Sequence, residues 1–179
     1  MRKRFFATLF AALLLFSVNA YAAEYDHTLN VEDMDVHWKL DGDKIKVKLS
    51  AKTTGWVAIG FDPETAMQGA NIIIGAVKKG KVRIEDHYGD RKRGHSPDEK
   101  LGGESHVMDA DGMEEDGVTT ISFTLALDSG DKWDKPIKTD GMYRIMLAYG
   151  TGRDSFRAGH RWRGVYDVNF STGESKKIK

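Results

Sequence analysis

In Lys44-Ile45-Lys46-Val47-Lys48-Leu49, charged and apolar residues alternate one for one. Side chains of an extended chain point to opposite faces in turn, so the lysines meet water while Ile45, Val47 and Leu49 meet a core. A helix would scatter both sets around its circumference. The stretch therefore reads as a strand of an antiparallel sheet with one wet face. Outward from it the same period near two recurs between Gly, Asp and Asn, and no segment after Glu24 holds a 3.6-residue stripe. Candidate strands span residues 27–31, 36–40, 44–50, 56–61, 72–78, 81–88, 105–109, 119–127, 143–149 and 165–170. Asp41-Gly42-Asp43 and Lys79-Gly80 join neighbouring runs with hairpin chemistry. About ten short antiparallel strands predict an all-β fold, an immunoglobulin-like β-sandwich, with a closed barrel as the alternative.

Two runs break the one-wet-face pattern. Trp56-Val57-Ala58-Ile59-Gly60-Phe61 and Ile72-Ile73-Ile74-Gly75 are apolar on both faces, so something other than solvent must cover their second face. The charged segment from Gly89 to Gly103 reads as a long polar loop.

The chain has 179 residues, equal numbers of basic and acidic side chains (27 each) and no Cys. That length suits one domain, and the absence of thiols excludes disulfides, thiolate zinc, iron–sulfur clusters and covalently attached c-type haem. Residues 1–22 combine Arg2, Lys3 and Arg4 with an apolar run and the small-x-small triplet Ala20-Tyr21-Ala22. They read as a signal peptide, and the run is too short for a membrane span of about 20 residues. The expected mature domain, residues 23–179, carries a net charge of −3 and is exported, periplasmic or secreted. Non-specific nucleic-acid binding is not favoured at that charge.

Most catalytic patterns are missing. There is no Gly-x-Ser-x-Gly elbow, no His-Glu-x-x-His, no phosphate loop and no EF-hand spacing. Asp109-Ala110-Asp111-Gly112 with Glu114, Glu115 and Asp116 reads as a solvated acidic turn. Met67 and His160 each fall in an expected loop after a strand. Taken alone, Met67 is a gap-filling side chain and His160 a surface imidazole.

In order along the chain stand Gly55-Trp56-Val57-Ala58-Ile59-Gly60-Phe61, Met67-Gln68-Gly69-Ala70-Asn71-Ile72, Asp86-His87-Tyr88, Ala148-Tyr149-Gly150 and His160-Arg161-Trp162-Arg163-Gly164. This series resembles the dopamine β-monooxygenase N-terminal, or DOMON, family from about Leu40 to Phe170. The resemblance implies an immunoglobulin-like sandwich, an exported or membrane-attached protein, and b-type haem or a sugar as ligand. It is similar to the cytochrome domain of cellobiose dehydrogenase, which implies Met67 and His160 as axial ligands of a non-covalent haem b. Lys78, Lys79 and His87 are the rival ligands, and Asp86-His87-Tyr88 otherwise has a structural role.

A thioether and an imidazole fill both axial positions of an iron porphyrin, which implies single-electron transfer rather than catalysis. Apolar walls are then expected from Trp56, Ile59, Phe61, Ile72 and Ile74 on one side, and from Tyr149, Phe156 and Trp162 on the other. Arg161 and Arg163 are the expected partners of the propionates. The partner would be a redox protein in the periplasm or at the membrane. Two alternatives remain: a carbohydrate-binding module using Trp56, Trp133 or Trp162 as a sugar platform, and a haem sensor or carrier using the same pocket.

Overall fold

Alternation at residues 44–49 is the pleat of a strand whose lysines face out and whose Ile45, Val47 and Leu49 are buried. The structure, a computed structural model, describes residues 24–179. The expected signal peptide therefore lies outside the described residues. The strands are β1 (His27–Val31), β2 (Met34–Asp41), β3 (Lys44–Ala51), β4 (Val57–Phe61), β5 (Asn71–Lys78), β6 (Lys81–Arg91) and β7 (Gly94–Pro97). One helical turn, α1 (Asp98–Leu101), precedes β8 (Met108–Glu115), β9 (Val118–Ala126), β10 (Tyr143–Gly150), β11 (His160–Val168) and β12 (Ser175–Lys177). They form a five-stranded sheet ordered β1-β2-β3-β9-β8 and a seven-stranded sheet ordered β12-β11-β10-β4-β5-β6-β7. Every pairing is antiparallel, and the two sheets make a β-sandwich.

The core lies between the sheets. Val36, Trp38, Ile45, Val47, Leu49, Ile121 and Phe123 of the smaller sheet pack with Val57, Ile59, Phe61, Ile73, Ile145, Leu147 and Val168 of the larger. Trp38 meets Phe170 edge to face at 5.7 Å and donates Nε1–H to the Phe170 carbonyl at 2.9 Å. Trp38→Ala would leave a cavity and a carbonyl without its donor. The expected cost is about 3–5 kcal/mol, read as a lower urea midpoint.

Among the described residues twelve strands form, in keeping with the expected number of about ten. Three expectations are corrected. Asp109–Asp116 is not a free acidic turn: residues 108–115 are β8, paired with β9 across a bulge between Met108 and Asp111. An edge strand facing water tolerates acidic residues on its outer face, which hides it from a hydrophobic-alternation test. The segment 89–103 is not simply a loop, because it holds the end of β6, all of β7 and α1. Finally, β11 begins at His160, five residues before the expected Val165, so His160 is a strand residue.

Candidate functional site

Residues of β4 are buried on both faces, and the covering of the outer face makes the site. On that face the larger sheet presents Ala58 of β4, Ile72 and Ile74 of β5, and Met146 and Ala148 of β10. Trp56, just before β4, lies against them, and its indole passes so close to Gly150 that a Cβ there would sit 2.6 Å from Nε1. Small residues at the centre leave a flat floor, and larger side chains rise at its margins. The β4–β5 loop carrying Met67, the turn of the β6–β7 hairpin, and the 151–159 loop carrying Phe156 form the walls. The open cleft they line has a volume of about 900 Å³, within the usual range for small-molecule and cofactor sites.

Six cationic residues, Arg91, Lys92, Arg93, Arg157, Arg163 and the C-terminal Lys179, line it, and no Asp or Glu side chain does. An apolar floor with a cationic rim suits a flat, largely apolar ligand that carries acidic groups.

The structure places Met67 by a close backbone approach. Met67 N–H donates to the Lys92 carbonyl at 3.3 Å, Gly69 N–H to the Gly89 carbonyl at 2.9 Å, and Gly89 N–H to the Ala70 carbonyl at 2.8 Å. A Cβ on Gly89 would lie 1.6 Å from the Met67 carbonyl oxygen. Gly89 therefore lets the loop lie on β6. In the sequence Gly89 stands just past the expected strand 81–88, at the start of the expected loop, although the structure continues β6 through it.

His160 is placed by a bulge. Tyr149 pairs with Trp162, but Gly150 pairs with His160, so Arg161 is an extra residue opposite β10. Simple alternation would set His160 on the face of Trp162; the extra residue turns it to the face of Arg163. There Arg163 Nη1–H donates to His160 Nε2 at 3.1 Å. That contact assigns the neutral imidazole its proton on Nδ1. Met67, near the Phe61 end of β4, and His160, near its Trp56 end, thus line one cavity.

Of the other expected wall residues, Trp56, Ile72, Ile74 and Phe156 line this cavity. Phe61 and Tyr149 do not: both belong to the core between the sheets, with Ile59, because they fall on the inner phase of their strands. Trp162 stacks on Tyr149 with ring centres 5.6 Å apart and packs against that same core. Arg161 is exposed and Arg163 engages His160. Trp133 lies elsewhere, beside Tyr88 at 5.0 Å, donating to the Leu101 carbonyl at 3.2 Å. Trp56, Trp133 and Trp162 therefore share no platform.

His87 lies beside a neighbouring cavity of about 910 Å³, which shares Arg91, His95, Phe156 and Arg157 with the first. Its Nε2 is 2.9 Å from Glu85 Oε2, and its Nδ1 is 2.8 Å from His95 Nδ1. The consistent assignment has His87 Nε2–H donating to Glu85 and His95 Nδ1–H donating to His87. Burial holds both imidazoles below their ordinary range, His95 down at about 4, with His87 as a second cause there. The unfolded chain therefore binds more protons than the folded chain as pH falls from about 6.5 to about 4. Stability is expected to decline over that window, and His95→Gln should flatten the decline in thermal melts taken across it.

The larger sheet of this β-sandwich thus offers an apolar floor rimmed by cations. Residues 30–150 match the model of the DOMON domain, and the chain belongs to the DOMON family. DBH-like monooxygenase protein 1 from Homo sapiens is 34% identical over 112 residues, covering 63% of this chain and 18% of that protein. Its Gallus gallus counterpart is 27% identical over 154 residues, covering 84% of this chain and 24% of that protein. The chain thus spans less than a quarter of the length of these relatives. Among solved structures, the cytochrome b domain of pyranose dehydrogenase from Coprinopsis cinerea superposes with a TM-score of 0.60 at 13% identity, covering 79% of this chain and 78% of that one. The cytochrome domain of Myriococcum thermophilum cellobiose dehydrogenase does so at 0.57 and 8% identity, covering 78% and 80%. At those identities the likeness is one of fold.

Proposed function

We propose that this chain is an exported, non-catalytic haem b module that passes single electrons to a redox partner protein, with Met67 and His160 as the axial pair. One observation carries the reading: a thioether and an imidazole, 93 residues apart in sequence, line the same flat-floored cavity. The cytochrome domains that share the fold support it.

The residues present fit the group. Ala58, Ile72, Ile74 and Ala148 offer apolar contact to a flat ring, while Arg91, Lys92, Arg93 and Arg157 offer donors to carboxylates at its edge. When bound, haem b supplies a one-electron couple, and thioether ligation favours its reduced state. This chain's side chains hold the ring, keep water from its faces and neutralise its acidic edge. His160 offers Nε2 only when Arg163 releases it, so Arg163 acts as the gate of that ligand. Matches to monooxygenases cover a minor part of those proteins, and we assign the module no oxygen chemistry of its own.

Reconstitution with hemin tests the reading. The wild-type chain is expected to give a Soret band with sharp reduced α and β bands. Met67→Ala and His160→Ala, made singly, should each abolish the six-coordinate low-spin spectrum. A spectrum unchanged by either substitution removes that residue as a ligand, and a colourless wild-type protein removes the function.

A further inference from the structure

Along β6 the side chains alternate, so Asp86 points away from the face that carries His87. On its side a polar cluster lies between β6, α1 and the connection from β9 to β10. It comprises Asp86, Asp98 at the first turn of α1, Asp134, His106 and Asn71. Asp98 is 0%, Asp86 3% and Asn71 4% exposed, and the side chain of Asp134 is 6% exposed. Ligand-type atoms of Asp86, His106 and Asp134 all lie within 4.8 Å of one another.

Internal hydrogen bonds satisfy only part of this cluster. Asp86 Oδ2 accepts from the His106 backbone N–H at 2.9 Å. Asn71 Nδ2–H donates to Asp134 Oδ1 at 2.7 Å, and Ser129 Oγ–H donates to Asp134 Oδ2 at 2.7 Å. Asp86 Oδ1, both oxygens of Asp98 and Asn71 Oδ1 are buried without a partner. His106 Nδ1 is 2.9 Å from Asp134 Oδ2 but is not aligned for a hydrogen bond with it. Among the described residues no Lys or Arg forms an ion pair with Asp86, Asp98 or Asp134.

Buried carboxylates without counter-charge are costly, and a buried carboxamide oxygen without a donor adds to the cost. We propose that Asp86 and Asp134, whose carboxylates converge, hold Ca²⁺ with help from the unpartnered buried oxygens of Asp98 and Asn71, at a structural site that ties α1 and the β9–β10 connection to β6. Oxygen donors outnumber the single imidazole nitrogen, which favours a hard cation over zinc or copper. A divalent charge offsets the repulsion among three carboxylates. It would also use the oxygens that the fold leaves without donors. Burial and neighbouring acids push Asp86 up to about 7 and Asp98 up to about 8, as expected where acids converge without a cation. The site is separate from the cavity of Met67 and His160, so it stands whether or not haem is the ligand there.

The test uses the full mature chain, dialysed against chelator, with CaCl₂ as the titrant. Calorimetry is expected to show one equivalent of Ca²⁺ bound. The melting temperature should rise by roughly 5–10 °C at a Ca²⁺ concentration about a hundred times the dissociation constant, and fall back with EDTA. Asp98→Asn and Asp86→Asn should each weaken binding by roughly tenfold or more, while Asp111→Asn on exposed β8 should leave it intact. Tb³⁺ luminescence of the unsubstituted chain, excited through Trp133 beside Asp134 and quenched by competing Ca²⁺, gives a measurement that needs no variant to fold. No saturable Ca²⁺ binding up to about 10 mM, well beyond the range of extracellular calcium modules, together with Tb³⁺ signal indifferent to Ca²⁺, overturns the proposal. Tighter binding of Zn²⁺ than Ca²⁺, lost in His106→Ala, overturns it too, because the site would then be a transition-metal site.

Discussion

Gly89→Ala is expected to disable the proposed haem site without replacing any residue that lines it. The added Cβ would overlap the Met67 carbonyl oxygen at 1.6 Å, and that partner is backbone, which cannot rotate aside. Two hydrogen bonds bracket the contact: Gly69 to Gly89 and Gly89 to Ala70, at 2.9 and 2.8 Å. Relief therefore requires the loop to lift from β6, breaking those bonds and the Met67 N–H bond to Lys92. Losing two or three hydrogen bonds and the local packing costs on the order of 2–4 kcal/mol. Because the loop lies at the sheet margin, the sandwich core should survive. The variant is expected to retain its far-ultraviolet spectrum while losing Met ligation, which low-spin absorbance after hemin addition would report. Gly89→Ala protein with wild-type ligation and an unchanged melting temperature would show that the loop is not held as described.

Asp98→Asn is expected to remove the loss of stability that Asp98 causes as pH rises, when calcium is chelated. Burial, followed by Asp86, Asp134 and Asp131, pushes the Asp98 carboxyl up to about 8, from 3.8 in the unfolded chain. The folded chain therefore keeps a proton that the unfolded chain releases above about pH 4. Stability from this group is complete below that pH and is lost as pH rises towards 8. Asparagine stays neutral throughout, so in EDTA at pH 8 the variant should be the more stable protein by on the order of a few kcal/mol. At pH 4 the two should melt alike. Calcium should invert the order at pH 8, since only the carboxylate contributes charge to the cation. Chemical denaturation at pH 4 and 8, with and without calcium, measures all four states. A variant that melts lower than wild type in EDTA at pH 8 would contradict the direction given for Asp98.

Sequence reading failed selectively. It found β3, β5 and β9, whose inward Ile, Val, Leu and Phe residues follow the pleat, and reached only Met108 and Asp109 of β8, whose outward Asp and Glu residues follow no apolar rhythm. It grouped Met67 with His160 through a family resemblance, not through spacing. It set Phe61, Tyr149 and Trp162 beside the ligand because aromatic residues are chemically suited to it, yet strand phase turns all three towards the other sheet. Gly89 and Met146 carried no signal strong enough to be singled out. The acidic cluster was invisible because Asn71, Asp86, Asp98, His106 and Asp134 come from different elements.

Alternation along the chain was enough to determine an all-β protein, because the pleat acts between adjacent residues and needs no knowledge of partners. A large part of one sheet's outer face was also marked as covered, since Trp56–Phe61 and Ile72–Gly75 leave no polar phase for water. What covers it was decided only by tertiary structure. Sheet order brought the Met67 loop onto Gly89, one extra residue in β11 turned His160 to the cavity, and strand phase assigned Asp86 and His87 to opposite sides of β6. Those outcomes depend on register between segments far apart in sequence, and a shift of one residue exchanges the faces.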